Sequence, residues 1–248
     1  MTRNPGFCPM ADDTPLLAVL IDADNTSYKA ATAIFEEIAT LGEASVRRIY
    51  GDFSSSSMRG WSSEQAALGI VPHHQPANTV GKNASDIALV IDAMDLLHTG
   101  RFDGFVLVSS DSDFTRLAQR VREQGKDVYG IGQKKTPEAF RMACKRFIFI
   151  ENLGAQDETP AATAKGETIS RGLQLLRNAF ADVEDDEGWA NLGMIGQQLS
   201  KRYPDFDPRT YGYRKLIDLI RAANDYEIRS EGNAHYVKLK PRRRKTGS

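Results

Sequence analysis

Sulfur and imidazole are scarce in this chain. Of its 248 residues, two are cysteine and four are histidine. Cys8 and Cys144 stand far apart, and His73, His74, His98 and His235 show no ligand spacing with them, so neither a disulfide framework nor a cysteine zinc site is expected. Long apolar runs are missing too: none approaches the roughly 18 residues that a membrane-spanning helix needs. The opening MTRNPGFCPMADD has neither the basic start nor the hydrophobic centre of a signal peptide. With 41% hydrophobic and 26% charged residues, the composition is that of an ordinary globular protein of one large or two small domains. The expected location is the cytoplasm, with no membrane partner, and oligomeric state is left open.

Net charge is also nearly absent, at −1, but the balance hides an asymmetry. Residues 1–164 hold 16 Lys and Arg against 21 Asp and Glu, a balance of −5, whereas residues 165–248 hold 16 against 12, a balance of +4. An acidic first part with clustered aspartates, followed by a basic part ending in PRRRK, fits a metal-dependent site joined to a polyanion-binding module. The break lies at 152–166, NLGAQDETPAATAKG, which has almost no large apolar residue and reads as a linker. Four segments follow: residues 14–151, the linker 152–166, a second domain at 167–240, and a basic tail at 241–248.

Before the linker, strand-like runs alternate with helical patterns. Strands are expected at 16–22, 45–50, 69–74, 104–109, 127–131 and 146–151, and helices near 26–40, 61–68, 84–98, 113–124 and 136–144. Such alternation means an α/β domain, a parallel sheet flanked by helices in the Rossmann-like manner. The run Leu17 to Ile21 is continuously apolar, as in a strand covered on both faces, and Asp22 ends it. FVLVSS, residues 105–110, is a second such run, followed at once by Asp111 and Asp113. Ligands of open α/β sheets bind at the carboxyl ends of the strands, so Asp22 and Asp111 are candidates for one acidic pocket. Asp113 is also a candidate helix N-cap.

A third carboxylate comes from GKNASDIALVIDAMDLL, residues 81–97, a helix with Ile87, Val90, Ile91, Met94 and Leu97 expected on its core face. Asp86 lies in its first turn; Asp92 is turned from it by about 120° and Asp95 by about 180°, so the three do not share a site. Asp86 is the ligand candidate, Asp92 a residue that orients a neighbour, and Asp95 a solvated one. Clustered carboxylates repel and are costly to bury, so Asp22, Asp86, Asp111 and Asp113 call for a cation. All-oxygen ligands suit Mg²⁺ or Mn²⁺, which activate water and stabilise the charge of a breaking phosphodiester.

A competing reading rests on the DxDxT spacing of Asp22, Asp24 and Thr26, shared with haloacid-dehalogenase-like phosphatases. There the first aspartate is a nucleophile and the second a general acid. Such an enzyme also needs a downstream lysine and a later acidic pair. After Asp113 the chain offers Lys126 and Lys134 but no such pair.

IDADN, GKNASD and VSSDSDF, in this order, resemble the NYN domain, the LabA-like branch of PIN-type nucleases, over roughly residues 14–151. The resemblance implies a PIN-like fold and a metal-dependent ribonuclease acting as an endonuclease. It assigns the metal centre to Asp22, Asp86, Asp111 and Asp113, with Asn25 beside Asp22 contacting metal-bound water or substrate and Lys82 meeting phosphate. Some relatives bind RNA without cutting it, so a non-catalytic RNA-binding adaptor stands as the alternative.

After the linker, amphipathic patterns at 169–180, 189–203 and 211–223, then the hairpin-like YEIRSEGNAHYVKLK, read as a small winged-helix domain. GWANLGMIGQQL and DFDPRTYGYRKLIDLI resemble an OST-HTH or LOTUS domain, which implies RNA as partner, G-rich or structured, or in some cases a protein. Asp207 followed by Pro208 is a helix start. Arg209, Tyr211, Tyr213, Arg214 and Lys215 interleave cations with aromatics, giving phosphate contacts and stacking faces. Against this, Leu216, Leu219 and Ile220 are core on a helix starting near Pro208, with one tyrosine packed beside them, and Trp189 and Phe206 are expected in the core.

Overall fold

The computed structural model describes residues 14–54, 58–74, 84–154, 165–232 and 234–240. In chain order these form β1 (Leu16–Asp22), α1 (Ala31–Ala39), β2 (Glu43–Gly51), α2 (Arg59–Leu68), β3 (Val71–His74), α3 (Ala84–His98), β4 (Gly104–Val108), α4 (Thr115–Glu123), β5 (Asp127–Gly132), α5 (Glu138–Ala143) and β6 (Arg146–Phe149). The second part adds α6 (Lys165–Ala181), β7 (Trp189–Asn191), α7 (Leu192–Arg202), α8 (Leu216–Ala223), β8 (Tyr226–Glu231) and β9 (Ala234–Leu239). The six strands expected before the linker make one sheet of order β3-β2-β1-β4-β5-β6, and the strand pairs β1–β2, β1–β4, β2–β3 and β5–β6 are parallel.

The chain separates into two compact units, residues 1–109 with 120–128 and residues 110–119 with 129–248. In the first, Leu17, Ala18, Val19, Leu20 and Ile21 are completely buried, because β1 is paired on both edges and covered on both faces. Burying each large aliphatic side chain of this kind contributes about 1.5–3 kcal/mol. The edge strand β3 differs, with Pro72 and a half-exposed Val71, as a strand that lacks a neighbour on one side allows.

The core face of α3 corrects the sequence reading in part: Leu97 is buried as expected and Val90 and Met94 are partly buried, but Ile87 and Ile91 lie off that face. Leu89, Ala93, Leu96 and Leu97 are buried, while Ile87 and Ile91 are 61% and 57% exposed. Both stripes have helical spacing, so periodicity alone does not choose between them. The choice follows from Asp92, which pairs with Arg48 and Tyr50 on β2, and from Ala93, whose small side chain lets the helix approach the sheet.

In the second unit, Leu176, Ala179, Phe180, Ala190, Ile195, Leu199, Ile220, Tyr226 and Val237 form a core between the helices and an antiparallel sheet of order β7-β9-β8. No helix runs from Pro208 to Ala223. A short 3₁₀ turn, Pro208–Tyr211, is capped by Asp207 and ends at Gly212, whose φ of 84° stops it, and α8 begins only at Leu216. Leu219 and Ile220 are buried as expected. Tyr211 is the packed tyrosine: it meets the ring of Phe206 at 5.5 Å, and a Cβ on Gly172 would come within 2.8 Å of its ring. The same unit joins β6 to the loop after α7, where Phe147 N donates to Pro204 O at 2.8 Å and Arg141 pairs with Asp205. Of the expected linker, residues 155–164 lie outside the described residues, as does the basic tail.

Candidate functional site

The parallel register of β1 and β4 pairs Ile21 with Val108, so the next residues, Asp22 and Ser109, meet at the carboxyl ends of the two strands. Ser109 Oγ donates to Asp22 Oδ2 at 2.7 Å and Asn25 Nδ2 donates to the same oxygen at 2.8 Å. The backbone amides of Asp24 and Asn25 reach Oδ1 at 3.1 and 3.3 Å. Thr26 Oγ1 ties this loop to Val108 O at 3.3 Å. The carboxyl group is thus gripped by donors in a loop that β4 holds in place, and Asp22 is 1% exposed.

Burial is the dominant influence on Asp22 and pushes its pKa above the ordinary carboxylate value; the bonds from Ser109 and Asn25 oppose the rise, and the charge of Asp24 adds to it. Hydrogen-bond donors that favour the ionised form do not outweigh the desolvation, which leaves a carboxylate suited to a cation. All the donors that the sequence reading assigned are carboxylate oxygens, the ligand type that Mg²⁺ and Mn²⁺ take. Among the described residues, no group of three or more His, Cys, Asp or Glu side chains is arranged to hold a metal ion.

The start of α3 is tied to the same loop. Ser85 Oγ donates to Asp24 Oδ2 at 2.9 Å, and the next residue, Asp86, is partly buried. Asp92 accepts from Arg48 and Tyr50, with His73 Nδ1 3.8 Å from its Oδ2; burial first, then the bond to Asp92, pushes the Tyr50 phenol well above its ordinary pKa. Asp95 is exposed. These placements match the roles read from helical geometry for Asp92 and Asp95.

Beyond β4, Asp111 is the cap: its side chain accepts from Asp113 N at 2.9 Å and opens the 3₁₀ turn Ser112–Phe114. The N-cap role expected for Asp113 therefore belongs to Asp111, because the turn starts one residue earlier than the helix read from sequence. Asp113 is exposed within that turn. Lys82 lies outside the described residues.

In the C-terminal part, Arg209 forms a forked pair with Asp207, with Nε 2.9 Å and Nη2 2.7 Å from Oδ2. Asp207 is buried, so this arginine is committed to the fold more than to phosphate. Tyr211 is packed, burial raising its phenol pKa, and Tyr213 is half-buried. Arg214 and Lys215 are exposed. Phe206 packs at the core edge as expected, but Trp189 does not: its neighbour Ala190 points inward instead.

Sequence reasoning missed Ser109 and the Ser85–Asp24 bond. Ser109 carried a readable signal, as the first polar residue after the buried FVLV run, level with Asp22 if the two strands are neighbours.

The NYN domain family model matches residues 16–151. The chain belongs to the NYN family. An OST-HTH/LOTUS domain matches residues 171–238, so a PIN-like α/β domain is followed by a LOTUS domain, the architecture of an RNA-related nuclease or RNA binder. Asp22, Asp24 and Thr26, with their DxDxT spacing, lie within the matched NYN domain, and Asp24 is bonded to Ser85.

Solved structures are similar too, the following two among them. A crystal structure of a protein of unknown function, VPA0982, from Vibrio parahaemolyticus is 21% identical, with a TM-score of 0.47 over 56% of this chain and 95% of that one. A solution NMR structure of an uncharacterized protein from gene locus NE0665 of Nitrosomonas europaea is 35% identical, with a TM-score of 0.28 over 38% of this chain and 90% of that one. No curated protein matches the chain. No helix of the described residues is long and apolar enough to cross a membrane.

Proposed function

We propose that this NYN protein is a metal-dependent endoribonuclease, with RNA recruited by its LOTUS domain. The observation that carries the reading is the Asp22 carboxylate: buried at the end of a central strand, held by Ser109 and Asn25, and raised in pKa by that burial. The NYN resemblance assigns Mg²⁺ or Mn²⁺ to Asp22, Asp86, Asp111 and Asp113, which are not gathered into a site without the ion; when bound, the ion would supply an activated water and neutralise charge on the phosphodiester. Asn25 and Ser109 fix the Asp22 carboxyl plane before substrate arrives. The Ser85–Asp24 bond holds the start of α3, and with it Asp86, against the β1 loop. Lys82 and the exposed Arg214 and Lys215 offer cations to phosphate.

The test is incubation of the full chain with mixed cellular RNA in Mg²⁺, Mn²⁺ or EDTA. Fragments that form with either metal and not with EDTA support the reading. RNA that is bound but never cut in any metal makes the protein an RNA-binding adaptor instead.

A further inference from the structure

The sheet of the LOTUS domain has two faces. Ala190, Tyr226 and Val237 are buried in the core, so the alternate residues Trp189, Asn191, Arg229, Tyr236 and Lys238 stand on the opposite, outer face. Strand register sets them side by side: Trp189 opposite Lys238, Asn191 opposite Tyr236, and Arg229 opposite Tyr236. The Arg229 guanidinium lies 4.7 Å from the Trp189 ring centre and 5.5 Å from that of Tyr236, and Lys238 Nζ is 5.8 Å from Trp189. The core does not require these rings, since Ala190 fills the inward position of β7.

We propose that this outer face is a stacking platform for the unpaired bases of single-stranded RNA. The inference rests on the reading that the LOTUS domain binds RNA, and adds where and in what form. A flat ring outside the core offers a face to any base, and stacked cations beside it meet the phosphates that flank that base. Arg229 already lies over two rings, so little side-chain freedom is lost on binding. Glu227 faces Lys238 across the strands and Glu231 holds Arg229 Nε at 3.0 Å, which keeps the face from being uniformly basic. The core of a protein–protein interface is depleted in charge, whereas here charged groups separate the rings.

The test uses the full chain in EDTA with a labelled unstructured RNA and the same RNA annealed to its complement. The chain has two tryptophans, and Trp61 is 1% exposed, so an RNA-dependent change in tryptophan emission reports Trp189. The platform requires quenching by the unpaired RNA, loss of that quenching in Trp189→Phe, affinity about tenfold weaker in Trp189→Leu, and a smaller loss in Trp189→Phe, which keeps a ring. Melting curves of both variants separate lost stacking from lost folding; if Trp189→Leu unfolds, the emission change and its loss in Trp189→Phe decide. RNA bound with unchanged emission and equal affinity in a folded Trp189→Leu overturns the platform and leaves RNA binding by the chain intact. No RNA binding by the unaltered chain overturns both.

Discussion

Ser109 donates a 2.7 Å hydrogen bond to Asp22 across the paired ends of β1 and β4, joining two segments 87 residues apart in sequence at the one carboxylate that the sheet buries most completely. Ser109→Ala removes a bond that lowers the Asp22 pKa and frees the carboxyl plane to turn. Metal affinity or cleavage rate should fall 10- to 100-fold, the usual cost of losing a residue that orients a ligand. Cleavage assayed against Mn²⁺ concentration checks this; an unchanged curve would show that Ser109 orients nothing of use.

Asp22→Asn should change the pH dependence of stability as well as activity. The ordinary aspartate value governs Asp22 in the unfolded chain, while the folded chain keeps its proton to higher pH. Stability from this group is therefore fully present below the unfolded value and lost as pH rises through the folded one. An uncharged Asn escapes that loss, so the melting temperature of the metal-free variant should rise relative to that of the parent chain as pH goes from 4 to 8. Calorimetry at both pH values decides, and a difference that stays flat or falls between them contradicts the burial account.

Asp86→Asn should reduce cleavage while Asp95→Asn is silent. The two stand on opposite sides of α3, and only Asp86 adjoins the Ser85–Asp24 bond. Equal loss of activity in two folded variants would rule out the assigned metal centre.

Asp92→Ala should destabilise without touching the chemistry directly. It strips Arg48 and Tyr50 of a shared acceptor in a partly buried setting, which costs about 2 kcal/mol. Urea unfolding at pH 7 measures it; a midpoint unchanged from that of the parent protein would mean that solvent replaces the pair without loss.

Arg209 and Arg214 should separate. Arg214→Ala should flatten the salt dependence of RNA binding by about 0.7 in log-log slope, one phosphate contact on a single strand. Arg209→Ala should instead lower the melting temperature, because it leaves the buried Asp207 without its forked partner. Point substitutions suit this question better than deletion of the C-terminal part, which would strip Pro204 O from Phe147 N and Asp205 from Arg141.

Strand positions and the carboxylates at their ends were legible because a doubly covered strand has to be continuously apolar, and Leu17 to Ile21 admits no other placement. The buried face of α3 was not, since Ile87 and Ile91 repeat at the same spacing as Leu89 and Ala93, and only the Asp92 pairing on β2 decides. The fate of Arg209 was hidden locally: its spacing reads as a basic stripe, but its guanidinium is held by Asp207, two residues before it. Trp189 was expected inside on size alone. Strand alternation puts Ala190 there and Trp189 outside, and a three-residue strand such as β7 is too short for its period to be read.

The most direct measurement is cleavage of cellular RNA by the full chain and by Asp22→Asn, each in Mn²⁺ and in EDTA. Fragments from the parent chain in Mn²⁺ alone, and none from the variant, are the predicted result. Cleavage that persists in EDTA, or in Asp22→Asn at the parental rate, contradicts an aspartate-held metal centre.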